Sequence, residues 1–203
     1  MSTLNTLSKY SKIILLWGIV FVVVTSTVSL FWPKQYSADS QMLIISRDRT
    51  GIDPYTQAKS AERIGDNLAQ VMQTTDFYQK VFEQVGTTFD KTRWQNLDDR
   101  HQRKQWQKDV KASMVYNSGL MNLTVYSTNA VDAAALSQAV MDVVVSRGWE
   151  YVGADVALKI VNTPLASRFP ARPNILLNVI LSFALGVIIS GLWIVRYRHP
   201  MFS

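Results

Sequence analysis

The chain contains no cysteine. Disulfides, thiolate metal sites and thiol nucleophiles are therefore excluded, whatever the compartment. Histidine is nearly as scarce: only His101 and His199 occur, and a long apolar run separates them. No His-x3-His spacing is present, so zinc chemistry of the usual helical kind has no ligands. Nor does a glycine-rich loop ending in Lys-Ser or Lys-Thr occur, which removes the common phosphate cradle. Asp98 and Asp99 are adjacent and would point apart on a helix, a poor arrangement for paired acid–base work. No cofactor, metal or catalytic residue is expected, and the chain reads as a non-enzyme.

Charge is missing in a patterned way. Residues 13–32 carry none over 20 positions, and residues 175–195 carry none over 21. Acidic residues are absent outside the stretch from Asp39 to Asp155. A helix needs about 20 apolar residues to cross a hydrocarbon core roughly 30 Å thick. Each central Leu, Ile, Val or Phe favours insertion by about 0.3–0.6 kcal/mol. Neither run has a polar face, as a helix at the surface of a soluble domain would. Both are therefore expected to be transmembrane helices. The first is too long for the apolar core of a cleaved signal, and no small-x-small site follows it before Pro33, so it reads as an uncleaved anchor.

The flanks set the expected orientation. Lys9 and Lys12 precede the first run, and Arg196 and Arg198 follow the second, with no acid near either pair. Short basic tails stay inside. The expected organisation is a cytoplasmic tail (1–12), a first span (13–32), an extracytoplasmic domain (33–174), a second span (175–195) and a second cytoplasmic tail (196–203). That organisation implies a multi-pass protein of the plasma (inner) membrane, with its central domain periplasmic or extracellular. The net charge of +6 does not indicate nucleic acid, because four basic residues sit on the tails and the remainder nearly balances. Tyr10, Trp17, Trp32, Trp193 and Tyr197 lie near the span ends, where interfacial aromatics collect.

Between the spans, Pro33 ends the first helix, and YSADSQMLIIS (Tyr36 to Ser46) ends in a β-prone run, read as a strand. Residues 47–57 read as a loop around Gly51 and Pro54. From Ser60 to Val85 apolar residues recur at helical spacing, broken at Thr74-Thr75-Asp76 by a cap. A charged helix is expected over Thr92 to Val110, with Thr92 and Gln95 as a weak capping box and Asp99–Arg103 as an i,i+4 pair. Lys111–Tyr116 and Leu120–Ser127 flank Asn117-Ser118-Gly119 and predict a hairpin. Thr128 or Asn129 should cap a helix to about Trp149, followed by a short strand over Ala157–Val161. Strand, helices, hairpin, helix, strand make an α+β domain: helices packed on one face of a small mixed sheet.

Several of these stretches resemble the Wzz-type polysaccharide co-polymerases, the chain-length determinant proteins. WPKQYSADSQMLI at the exit from the first span, with Pro33 and Tyr36, is similar to that family's Pro, Tyr and alternating strand. LTVYSTNAVDAAALSQAVMDVV looks like its strand and Ala-rich helix. KIVNTPLASRFPARPN resembles its proline-rich membrane approach. The resemblance implies a homo-oligomer that works beside a polysaccharide polymerase and a lipid-linked glycan, setting chain length for O-antigen, capsule or exopolysaccharide. The chain departs from longer relatives in having a short exterior segment and no fused kinase. Only Tyr197 lies in its C-terminal tail, which weakens a second implied role as adaptor or activator of a separate cytoplasmic tyrosine kinase. An envelope scaffold with no glycan role is a further reading.

Three sets of residues are candidate sites. Asn178, Ser182, Gly186 and Ser190 recur every four residues, so they share a helix face suited to close packing. Gly18, Thr25 and Ser29 are their candidate partners in the first span. Pro164, Pro170 and Pro173 restrict the backbone and read as a stiff membrane-approach connector, with Arg168 and Arg172 as interfacial anchors or as contacts to lipid phosphates or an anionic lipid-linked glycan. Trp94 and Trp106, on the charged helix, read either as core or as sugar-stacking platforms.

Overall fold

The structure, a computed structural model, describes residues 9–46, 53–85, 89, 91, 94, 96–153 and 156–198. It divides into two units: Met1–Lys34 with Arg172–Ser203, and Gln35–Ala171.

The second unit is α+β. Its strands are β1 (Tyr36–Ser46), β2 (Val110–Met114), β3 (Leu120–Ser127) and β4 (Val156–Ala166). The sheet order is β2-β3-β1-β4, and each neighbouring pair is antiparallel. The mixed sheet expected from the sequence is thus corrected to an antiparallel one. The physical reason is the position of β1. Strands β3 and β4 both run antiparallel to β1 and hence parallel to each other, but β1 lies between them. A helical crossover joins them without their ever sharing hydrogen bonds.

Alternation in β1 and β3 explains which face is covered. Ala38, Ser40, Met42 and Ile44 on β1 are buried, as are Met121, Leu123 and Val125 on β3. Successive strand residues point to opposite faces, so these seven share one side. Two helices cover it: α2 (Pro54–Val71) against β1 and β2, and the long crossover helix, introduced below, against β1, β3 and β4. The opposite face carries Asp39, Gln41, Asn122, Thr124 and Asn162, a polar surface facing solvent.

The helices begin where their caps dictate. Helix α2 starts at Pro54, six residues before the expected Ser60, because the Asp53 carboxylate accepts from Thr56 N (3.4 Å). Proline at the first helical position loses no hydrogen bond, so the dipeptide that reads as a loop is a helix start. Helix α3 (Thr75–Gln84) is capped by the Thr74 hydroxyl, which accepts from Phe77 N at 3.3 Å. Helix α4 (Asp99–Asp109) starts at the Asp98 cap, which accepts from His101 N at 2.9 Å. The Thr92/Gln95 capping box and Gly51 lie outside the described residues.

Asn129 caps α5 (Ala130–Arg147), the crossover helix, by accepting from Val131 N at 3.0 Å. Gly148 then leads into a single turn, α6 (Trp149–Val152). The final strand is longer than the expected Ala157–Val161 and runs through Pro164 to Ala166. Proline is tolerated there because β4 is an edge strand and because the register with β1 slips between Asp39 and Gln41.

The hairpin turn makes a close approach. Asn117 holds a positive φ of 53°, and Gly119 O accepts from Ile44 N at 2.8 Å. A methyl group on Gly119 would lie 2.4 Å from the Ile44 carbonyl oxygen, a backbone atom with little room to yield. Gly119→Ala is therefore expected to cost about 1–3 kcal/mol, read as a lower urea midpoint at unchanged slope.

The first unit consists of two helices, α1 (Ser11–Leu30) and α7 (Ile175–Arg198). Each is long and apolar enough to cross a membrane, with mean hydropathy 2.5 over the most apolar stretch. They pack against each other along their lengths.

Candidate functional site

The close contact between α1 and α7 is built on small residues. Gly186 is buried, and a methyl on it would lie 3.0 Å from each of Gly18 Cα, Phe21 Cβ and Trp17 O. Gly18 in turn meets the Phe183 ring and Val187. One turn away on either side, Ser182 and Ser190 are buried, and their hydroxyls donate back to carbonyls of their own helix. That leaves their small, internally satisfied side chains at the contact. At the far end Asn178 donates from Nδ2 to Ser29 Oγ at 3.4 Å. The four-residue repeat Asn178, Ser182, Gly186, Ser190 therefore lies along α1. Gly18 and Ser29 meet it, and the Thr25 hydroxyl, like those of Ser182 and Ser190, donates to a carbonyl of its own helix, Phe21 O.

The proline set is divided by the fold. Pro164 belongs to β4, opposite the slipped register, and is not part of a connector. Pro170 and Arg168 are exposed. Pro173 follows a cis peptide bond. Arg172 is half-buried and engaged by a partner. Pro33 is exposed two residues after the C-cap of α1, Phe31, and Tyr36 opens β1 opposite Ser127.

The tryptophans of the charged segment are interior. Trp106 is fully buried and donates from Nε1 to Met72 O at 2.7 Å; Trp94 is 4% exposed. Their rings pack with each other and with Phe82 at centroid distances of 5.4–6.2 Å. Both rings belong to the core, and Trp94 also lines a cleft of about 400 Å³ with Tyr78, Phe82, Lys91 and Gln102. Arg103, which the sequence pairs with Asp99, donates instead to Thr75 Oγ1 at 2.7 and 3.0 Å.

Two polar arrangements leave no signal in the sequence, because their members lie far apart along it. On the open sheet face Asn162 donates to Gln41 (2.6 Å), and Gln41 donates to Asn122 (2.7 Å), an amide ladder across three strands. Beside it Thr124 donates to Asp39 at 2.6 Å. These side chains floor a trough of about 630 Å³. The second arrangement ties α3 to α6. Lys80 donates to Glu150 (2.7 Å) and to the Tyr151 hydroxyl (2.8 Å) and lies 3.1 Å from Asp76, to which Tyr151 also donates.

That clamp is pH-sensitive in both directions. The Tyr151 hydroxyl and the Lys80 ammonium hold the Asp76 carboxyl below the usual carboxylate range. Glu150 and Tyr151 raise Lys80 above the ordinary lysine value. A depressed carboxyl contributes stability that is present near neutrality and lost as pH falls through its folded value; a raised amine contributes stability lost as pH rises through its own. Amide exchange in 149–152 is expected to be slowest near neutral pH, after correction for intrinsic rates, and to quicken at both extremes. Lys80→Met should flatten that profile.

Among the described residues no group of His, Cys, Asp and Glu is placed to hold a metal ion. His101 pairs through Nδ1 with the Asp98 carboxylate that caps its own helix, and both are exposed. His199 lies outside the described residues. No protein-family model matches this chain, and no curated protein matches it. The paired apolar helices and the open polar sheet face are the surfaces on which a functional reading must rest.

Proposed function

We propose that this chain is a membrane-anchored regulator of surface polysaccharide assembly, acting as an oligomeric co-polymerase on chain length without catalysis of its own. The observation that carries this reading is architectural: one α+β unit is bracketed in the chain by two apolar helices that pair through a small-residue face. Helices α1 and α7 would cross the plasma (inner) membrane, with both basic tails in the cytoplasm and the α+β unit outside. Further copies would assemble side by side through lateral contacts of the α+β unit, in a closed arrangement. The glycan role comes from the sequence resemblance, and the open, polar sheet face is compatible with a hydroxyl-rich chain passing over it.

The test is genetic. Deleting the gene in its host should shift or abolish the modal length of the surface polysaccharide on a size-resolving gel, and the wild-type gene should restore it. An unchanged size distribution at normal yield would sink chain-length control.

A further inference from the structure

The segment after β4 has features that an ordinary connector does not require. Ser167 N donates to Ser37 O at 2.7 Å, Ser167 Oγ accepts from Ser37 N at 3.0 Å, and Ala171 N donates to Gln35 O at 2.7 Å. Both feet of a short loop are thus fastened to the chain entering β1. Between them Arg168, Phe169 and Pro170 are all exposed. Phe169 is 80% exposed, and Leu165, just before the loop, is 77% exposed. A large aromatic side chain held out on a pinned loop forgoes roughly 1.5–3 kcal/mol of burial. Ordering such a loop is costly too, so its shape points to something that covers the tip.

The covering partner can be identified from charge and chain connectivity. No acidic residue follows Asp155, whereas Lys159, Arg168 and Arg172 all do, and Asp39, the acid opposite Leu165 across the strands, already accepts from Thr124 Oγ1. Phe169 precedes Ile175, where α7 begins, by six residues, and six residues of chain reach at most about 20 Å. We infer that Leu165 and Phe169 insert into the headgroup–acyl boundary of an anionic lipid surface, with the Arg168 guanidinium on lipid phosphate. Aromatic rings favour that boundary, and a basic side chain near an anionic surface contributes about a five-fold preference for it. The loop is then a foot that holds the α+β unit on the bilayer. This inference rests on the reading that α1 and α7 span a membrane, and it is independent of any role in glycan assembly.

The absence of native cysteine makes the test clean. Single variants Leu165→Cys, Phe169→Cys, Tyr116→Cys and Leu16→Cys would be labelled with an environment-sensitive fluorophore. The full-length protein would then be placed in nanodiscs of phosphatidylcholine, with or without a third of the lipid replaced by phosphatidylglycerol. Tyr116, 84% exposed at the hairpin turn, is the water-facing control; Leu16, 61% exposed on α1, reports spanning. The labels at 165 and 169 should emit as if shielded and be quenched by spin-labelled lipid, more so with phosphatidylglycerol, while the label at 116 is not. Arg168→Gln should reduce the phosphatidylglycerol preference about five-fold.

Water-like, unquenched emission at 165 and 169 alongside a quenched label at 16 overturns the foot and leaves the spans standing. An unquenched label at 16 removes the spans and the foot together. Shielding that ignores both phosphatidylglycerol and Arg168→Gln overturns the recognition of anionic lipid.

Discussion

Trp106→Ala is expected to destabilise the α+β unit by about 3–5 kcal/mol. The indole is fully buried, and its removal opens a cavity among Tyr78, Phe82 and Trp94, whose rings lie 5.9–6.2 Å from it. The change also strips the Met72 carbonyl of the indole N–H. That carbonyl stands at the C-cap of α2, where the last helical acceptors lack partners within the helix. Trp106→Phe separates the two effects: it keeps most of the ring and gives up the hydrogen bond, at about 1–2 kcal/mol. Urea denaturation of the full-length protein in detergent, followed by near-ultraviolet circular dichroism, reads both. A loss under about 1 kcal/mol for the alanine variant would mean that the aromatic group does not carry this part of the core.

Gly186→Leu is expected to separate α1 from α7. On the proposed reading that both helices span a bilayer, little hydrophobic drive brings them together, and close packing with a few polar contacts must suffice. A methyl at Gly186 would already press on two backbone atoms and Phe21 Cβ at 3.0 Å, and an isobutyl group forces the helices apart. Overpacking of this kind costs about 1–3 kcal/mol. A Ser29→Cys/Asn178→Cys pair replaces side chains that now meet at 3.4 Å, in a chain with no competing thiol. Adding Gly186→Leu to this pair should lower its cross-linking by on the order of tenfold. Leu185→Ala changes a side chain that is 55% exposed, away from the contact, and should leave cross-linking unchanged. Equal cross-linking in the Gly186→Leu and Leu185→Ala backgrounds would dismiss the small-residue contact.

What the sequence made legible follows from how local each signal is. Strand β1 was readable over its whole length, because β-prone residues follow a proline and polar residues follow the strand. The hairpin was readable because Asn117 and Gly119 supply the turn chemistry. Alternation in β3 named its buried residues Met121, Leu123 and Val125 directly. The repeat of small residues in α7 needed only a spacing of four. The sequence marks only the inner part of β4, because the outer half is mostly exposed and contains Pro164. An edge strand has one neighbour and little burial to impose a pattern. Strand order was not readable at all, since the insertion of β1 between β3 and β4 depends on contacts about a hundred residues apart.

The same distance hid the polar side-chain clusters. Gln41, Asn122 and Asn162 are unremarkable polar residues until three strands align them. Lys80 meets Glu150 and Tyr151 across some seventy residues. Phe169 did leave a trace, as a lone aromatic in a basic, proline-rich stretch, but only the hydrogen bonds at Ser167 and Ala171 show that it is held outward.

The pairing of the beginning of β1 with the end of β4, Ala38 opposite Ala166, has a mechanical consequence. The two chain ends of the α+β unit leave it side by side, so tension that spreads them acts on the hydrogen-bonded rungs one after another, as in a zipper. Tension applied to the hairpin tip, with both ends held, runs along the strands and is shared by every rung at once. The unit should therefore peel open at low force when its ends are drawn apart, and withstand much larger loads applied to its far side.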